Sequence, residues 1–129
     1  LIIISSISRA LRPLRRELDN CHRSKPQIVL NIEHEEDRNL HLDELINYYD
    51  SLAIRKDSFK EIQRQYLAYQ WSNEADSTAA EQQSENDAEL LAAVDAVLVE
   101  VNSAIRKLTY QQNTARESVK AEADRLAMR

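Results

Sequence analysis

His34-Glu35-Glu36-Asp37, followed by His41, is where this chain comes nearest to a metal-binding pattern. A helix-borne zinc site needs His-Glu-x-x-His, which sets two imidazoles one turn apart on one face. Here the fourth residue after His34 is Arg38, and the two histidines stand seven apart. The run reads instead as an acidic, solvated helix start, and no metal or other cofactor is expected. Carboxylates are frequent elsewhere, but they fall on polar faces or between Glu74 and Glu89. General acid–base work needs a desolvated pocket that shifts a pKa, and a slender helical bundle rarely makes one. Cys21, the single cysteine, falls on an apolar stripe and reads as a small buried hydrophobe rather than a nucleophile. No catalytic residue is assigned, and the chain reads as a non-enzyme.

Charge is more informative. Between Arg9 and Lys25 six basic residues face two acidic ones, in a chain whose net charge is −5. With an apolar stripe behind them, Arg9, Arg12, Arg15 and Arg16 are the candidates for contact with a phosphate backbone or an anionic membrane. The competing reading is an ordinary solvated face that pairs with the acidic runs at 33–37 and 74–89. Tyr66, Tyr69 and Trp71 have the chemistry to stack on bases. After Arg64, however, the next basic residue is Arg106, so these aromatics read as a packed cap on a hairpin tip.

The elements that carry these residues follow from composition. The chain has 129 residues, 43% apolar and 30% charged, with no glycine and two prolines. Without glycine there is no dinucleotide fingerprint, no phosphate-cradling loop and no Gly-based hairpin turn. Helices with polar connections remain. Ile4, Ile7, Leu11, Leu14, Leu18 and Cys21 alternate spacings of three and four, one helix face. Pro13 interrupts that stripe, so the spacing predicts a helix over about 8–23 that either kinks there or begins just before it. Residues 24–39 follow as a connector whose Ile28, Leu30 and Ile32 alternate with other residues, an apolar linker laid across helices rather than a strand without a partner. A second helix is expected over 39–72, with Leu45, Leu52, Phe59 and Tyr66 every seven residues and Asn39 as N-cap. An acidic turn over 73–80, with a capping box at Thr78, leads to a third helix over 81–128. Its a positions are Leu91, Leu98, Ile105, Gln112, Val119 and Leu126, and its d positions are Val94, Val101, Leu108, Ala115 and Glu122. Heptads sustained this far predict coiled-coil packing.

The expected fold is therefore a single all-α domain over 1–129: an elongated antiparallel three-helix bundle or coiled coil with one very long C-terminal helix. Lengths then expose a problem. Folded back as a hairpin, the second helix covers the third only to about residue 108–112, and the final third projects beyond it. The first helix, a second copy of the chain, or both must cover Val119 and Leu126. Gln112, polar at an a position, resembles the residues that fix partner and register in coiled coils. Gln112, Val119 and Leu126 are accordingly the candidate self-association residues, with a dimer the simplest assembly.

The order of features also resembles a known family. A short basic helix, Arg9-Ala10-Leu11-Arg12-Pro13-Leu14-Arg15-Arg16-Glu17-Leu18, is followed by Leu45-Ile46-Asn47-Tyr48-Tyr49-Asp50-Ser51-Leu52 and Phe59-Lys60-Glu61-Ile62-Gln63. After the acidic turn comes a long helix around Leu90 to Leu108. This arrangement is similar to the N-terminal Gag region of Pao/BEL-type LTR retrotransposons, over about residues 9–110. The resemblance implies a non-enzymatic segment of a structural polyprotein that self-associates during particle assembly. A spectrin-repeat-like spacer would share the same spacing. The chain lacks an initiating Met and ends inside a helical pattern, so it is expected to be part of a longer protein. Neither a signal peptide nor a membrane span is legible in Leu1-Ile2-Ile3-Ile4. One cysteine and no glycosylation acceptor favour a reducing, cytoplasmic setting.

Overall fold

Three helices make up the structure: α1 (Ile2–Arg23), α2 (Glu35–Asn73) and α3 (Ser77–Ala127), with no strand among the described residues. The computed structural model describes the backbone of residues 2–73 and 77–128 and the side chains of residues 9–66 and 81–128. Residues 74–76 of the expected acidic turn, and the side chains of Ile4, Ile7, Tyr69, Trp71 and Thr78, fall outside what is described; the rest of that turn is helical, with Asn73 ending α2 and Thr78 lying inside α3 rather than capping it.

Polar pairs set the register between α2 and α3. Lys56 binds Asp95, Asn39 accepts from the Gln112 amide, and Glu35 lies 3.7 Å from Arg116. Glu35 to Asn39 is four residues, as is Gln112 to Arg116; Asn39 to Lys56 is seventeen, as is Asp95 to Gln112. The two helices thus run antiparallel without slippage. The row read from the sequence faces inward: Leu45, Leu52 and Phe59 on α2 and Val94, Val101 and Leu108 on α3 are fully buried. Each such side chain contributes about 1.5–3 kcal/mol by leaving water.

The third layer has two parts. Over one half of the hairpin it is α1, whose Leu11 and Leu18 pack with Leu52, Phe59, Val94 and Leu98. The Tyr48 hydroxyl donates to the Cys21 carbonyl at 2.6 Å, satisfying one of the acceptors left over where α1 ends. Lys25 then reaches Glu100 at 2.7 Å. Over the other half the connector takes α1's place: Ile28 and Ile32 pack on Leu42, Leu45, Val101, Ala104 and Leu108. Its backbone is tied down on the way. The Ile32 carbonyl accepts from Arg38 at 2.9 Å and from Gln111 at 3.4 Å, and the Val29 N–H donates to His41 Nε2 at 3.3 Å.

Several boundaries differ from the sequence reading. Helix α1 begins at Ile2 rather than 8 and runs through Pro13. Both Pro13 and Arg9 are exposed, so the bond that proline removes falls on the open side of the helix. Helix α2 starts at Glu35, not Asn39, which shortens the connector. Glu35, Glu36 and Asp37 fill its first turn and offset the positive end of the dipole, and the Arg38 N–H bonds the His34 carbonyl at 3.0 Å. Asn39 is therefore not a cap; it is the acceptor for Gln112. Helix α3 starts at Ser77 and ends at Ala127, against an expected 81–128.

Candidate functional site

The earlier start of α2 moves the end of the hairpin to Arg116, a turn beyond the 108–112 expected from lengths. Beyond it α3 continues to Ala127 with no further hydrogen bond or ion pair to another element among the described residues. These last residues extend about 17 Å at ~1.5 Å per residue. Covering by α1 is ruled out, because α1 is spent on the opposite half of the bundle. Val119 and Leu126 are 69% and 64% exposed, and every described residue from Asn113 onward is exposed. Other exposed apolar residues, among them Leu40, Ile54 and Val99, occur elsewhere on the bundle surface, as in any globular protein. On the overhang, Ala115, Val119 and Ala123 follow at four-residue spacing, so their side chains share one face.

Gln112 occupies a different situation from the one expected of it. Half-buried, it donates to Asn39 within the same chain, so it fixes the α2–α3 register and is not offered to a partner. Val119 and Leu126 retain the open position.

At the root of the overhang lies a notch of about 340 Å³, walled on one side by Ala115, Val119 and Ala123. Arg116 and Lys120 of the same helix line it too, together with Glu33 of the connector and Glu35 and Arg38 of α2. Sequence reasoning missed Arg38 altogether. As an isolated basic residue next to an acidic run it signals nothing, yet it is 6% exposed. Its burial follows from the connector, which turns back over α2 and brings the Ile32 carbonyl to the guanidinium. Arg38 Nε has no hydrogen-bond partner among the described residues.

The basic face of α1 divides. Arg15 is not available to a phosphate: its Nε and Nη2 donate to Asp87 at 2.7 and 3.1 Å. Its guanidinium also sits 5.8 Å from the centre of the Phe59 ring. Asp87, 4% exposed, additionally accepts from Gln83 at 3.0 Å. Arg15 is thus a structural residue paired with the acidic run, and the pair is part-buried rather than on the solvated face expected. Arg9, Arg12 and Arg16 are exposed, and Arg12 and Arg16 flank a shallow groove beside Asp19 and Leu90.

Among the described residues, no three His, Cys, Asp or Glu side chains converge where a metal ion could be held. No described helix is long and apolar enough to cross a membrane. The fold thus defines the chain as an all-α helical bundle. No protein-family model, curated protein or solved structure matches the chain.

Proposed function

We propose that this protein is a non-enzymatic structural module that self-associates through the coiled-coil seam of the α3 overhang, as a dimer. One observation carries this reading: α3 outlasts α2 at Arg116, and the apolar residues beyond, Val119 and Leu126, are open to water. An isolated helix end of this length is only marginally stable without packing. A second copy provides that packing at no cost in new elements. The role accords with the Gag-like segment of a structural polyprotein that the residue order resembles.

The test is solution mass against concentration by light scattering. The wild-type chain is expected to reach dimer mass, and Val119→Asp with Leu126→Asp to remain monomeric with its helicity intact. A wild-type mass that stays at one chain across the series refutes self-association and favours a spectrin-like spacer. A second reading, binding of nucleic acid or anionic lipid, draws on the exposure of Arg9, Arg12 and Arg16. It requires binding that falls steeply with salt and that Arg12→Gln with Arg16→Gln removes.

A further inference from the structure

We infer that the notch at the root of the overhang is a carboxylate seat, filled by Glu122 of a second copy lying antiparallel along α3. This rests on the self-association reading above and specifies its geometry.

One buried charge beside this notch lacks a counter-charge. Arg38 is almost completely buried, and a guanidinium carries five N–H donors. Its Nη2 donates to the Ile32 carbonyl, its Nε is unpartnered, and it forms no ion pair among the described residues. A buried charge without a counter-charge is costly unless one is supplied. Glu35, which lines the same notch, is drawn to Arg116 at 3.7 Å.

Glu122 is the complementary anomaly. The other acids of the overhang, Glu117 and Asp124, fall at outer f positions of the heptad, whereas Glu122 occupies a d position between Val119 and Leu126. It is exposed and makes no ion pair among the described residues. A partner that covers the apolar face must also cover this carboxylate, which is unfavourable unless a cation meets it.

Orientation follows from the same charges. A parallel pair of overhangs would stack Glu122 on Glu122 in one d layer, placing like charges together. An antiparallel pair centred with Val119 opposite the second copy's Ala123 sets Glu122 of that copy beside Lys120. Lys120 and Arg38 line one notch, so the carboxylate enters between them. By symmetry the same contact forms twice, and the two acids are separated rather than stacked.

The experiment is a dimer dissociation constant from sedimentation equilibrium of the full chain and its variants. Glu122→Gln is expected to weaken the dimer about tenfold per seat, and Arg38→Met comparably. Combining them should weaken it no more than either alone, because the two act through one contact. Glu117→Gln, at an outer position, should leave the constant unchanged. Glu122→Lys should prevent dimerisation, and being at an exposed position it keeps the test valid even if Arg38→Met fails to fold. A wild-type chain that never dimerises overturns both this inference and the reading it rests on. A dimer that Val119→Asp with Leu126→Asp abolishes, but that Glu122→Gln and Glu122→Lys leave intact, overturns the carboxylate seat alone.

Discussion

Removing the Arg15–Asp87 pair is the sharpest test of how α1 is held. The pair joins residues 72 apart in sequence through two hydrogen bonds, and the side chains are 26% and 5% exposed respectively. That asymmetry sets an order of effects. Arg15→Met keeps an apolar stem at this position but leaves the Asp87 carboxylate buried with Gln83 as its remaining partner. Breaking a buried pair this way costs about 3–5 kcal/mol. Asp87→Ala instead leaves an arginine that is already a quarter exposed and can turn into water, so the loss should be about 2–3 kcal/mol, the range of one or two charged hydrogen bonds. The double variant should recover part of the sum, with a coupling energy of about 2 kcal/mol. Urea unfolding followed by far-UV circular dichroism measures all three. In a thermal melt each 1 kcal/mol corresponds to roughly 4 °C for a chain of this size. A coupling below about 0.5 kcal/mol would show that the pair behaves as an exposed ion pair. It would return Arg15 to the set of arginines open to phosphate.

Phe59→Ala should destabilise by about 3–5 kcal/mol, because Phe59 is fully buried between α1 and α3, whereas Val119→Ala should change monomer stability by less than about 0.5 kcal/mol. Chemical denaturation of both at a concentration where the chain is monomeric separates these outcomes. Burial, and then the nearby Cys21, pushes the Tyr48 phenol up to about 12. The unfolded chain ionises near 10, so between those values the unfolded state loses its proton first and stability falls as pH rises. Tyr48→Phe should cost about 1 kcal/mol at neutral pH through its lost bond to Cys21, and should flatten that alkaline decline in a pH series of melts. Arg12→Gln with Arg16→Gln should leave the melting temperature within about 2 °C of wild type, because both side chains are exposed.

The helices and their inward faces were legible because their signals are local. Leu45, Leu52 and Phe59 recur every seven residues, as do Val94, Val101 and Leu108, and a helix must present such a row on one side. The absence of glycine removed sheet and loop architectures before any packing was considered. The existence of an overhang was legible too, since it follows from the unequal lengths of two paired helices. Boundaries were less so: three acids at 35–37 extend α2 through a dipole effect that competes with the cap expected at Asn39.

What the sequence could not assign is which distant groups meet. Gln112 and Asn39 each have a respectable local reading, as a partner-specifying residue and a cap, and neither reading anticipates that they bond each other. Arg15 looks like its neighbours Arg12 and Arg16 until α3 brings Asp87 to it. Arg38 becomes buried because the connector folds over it in place of a third helix. Helical periodicity is written into each segment by the 3.6-residue turn, so it can be read in one dimension. The burial of a charge and the partner it finds depend on how three long elements are offset along their axes, and that offset exists only once they pack.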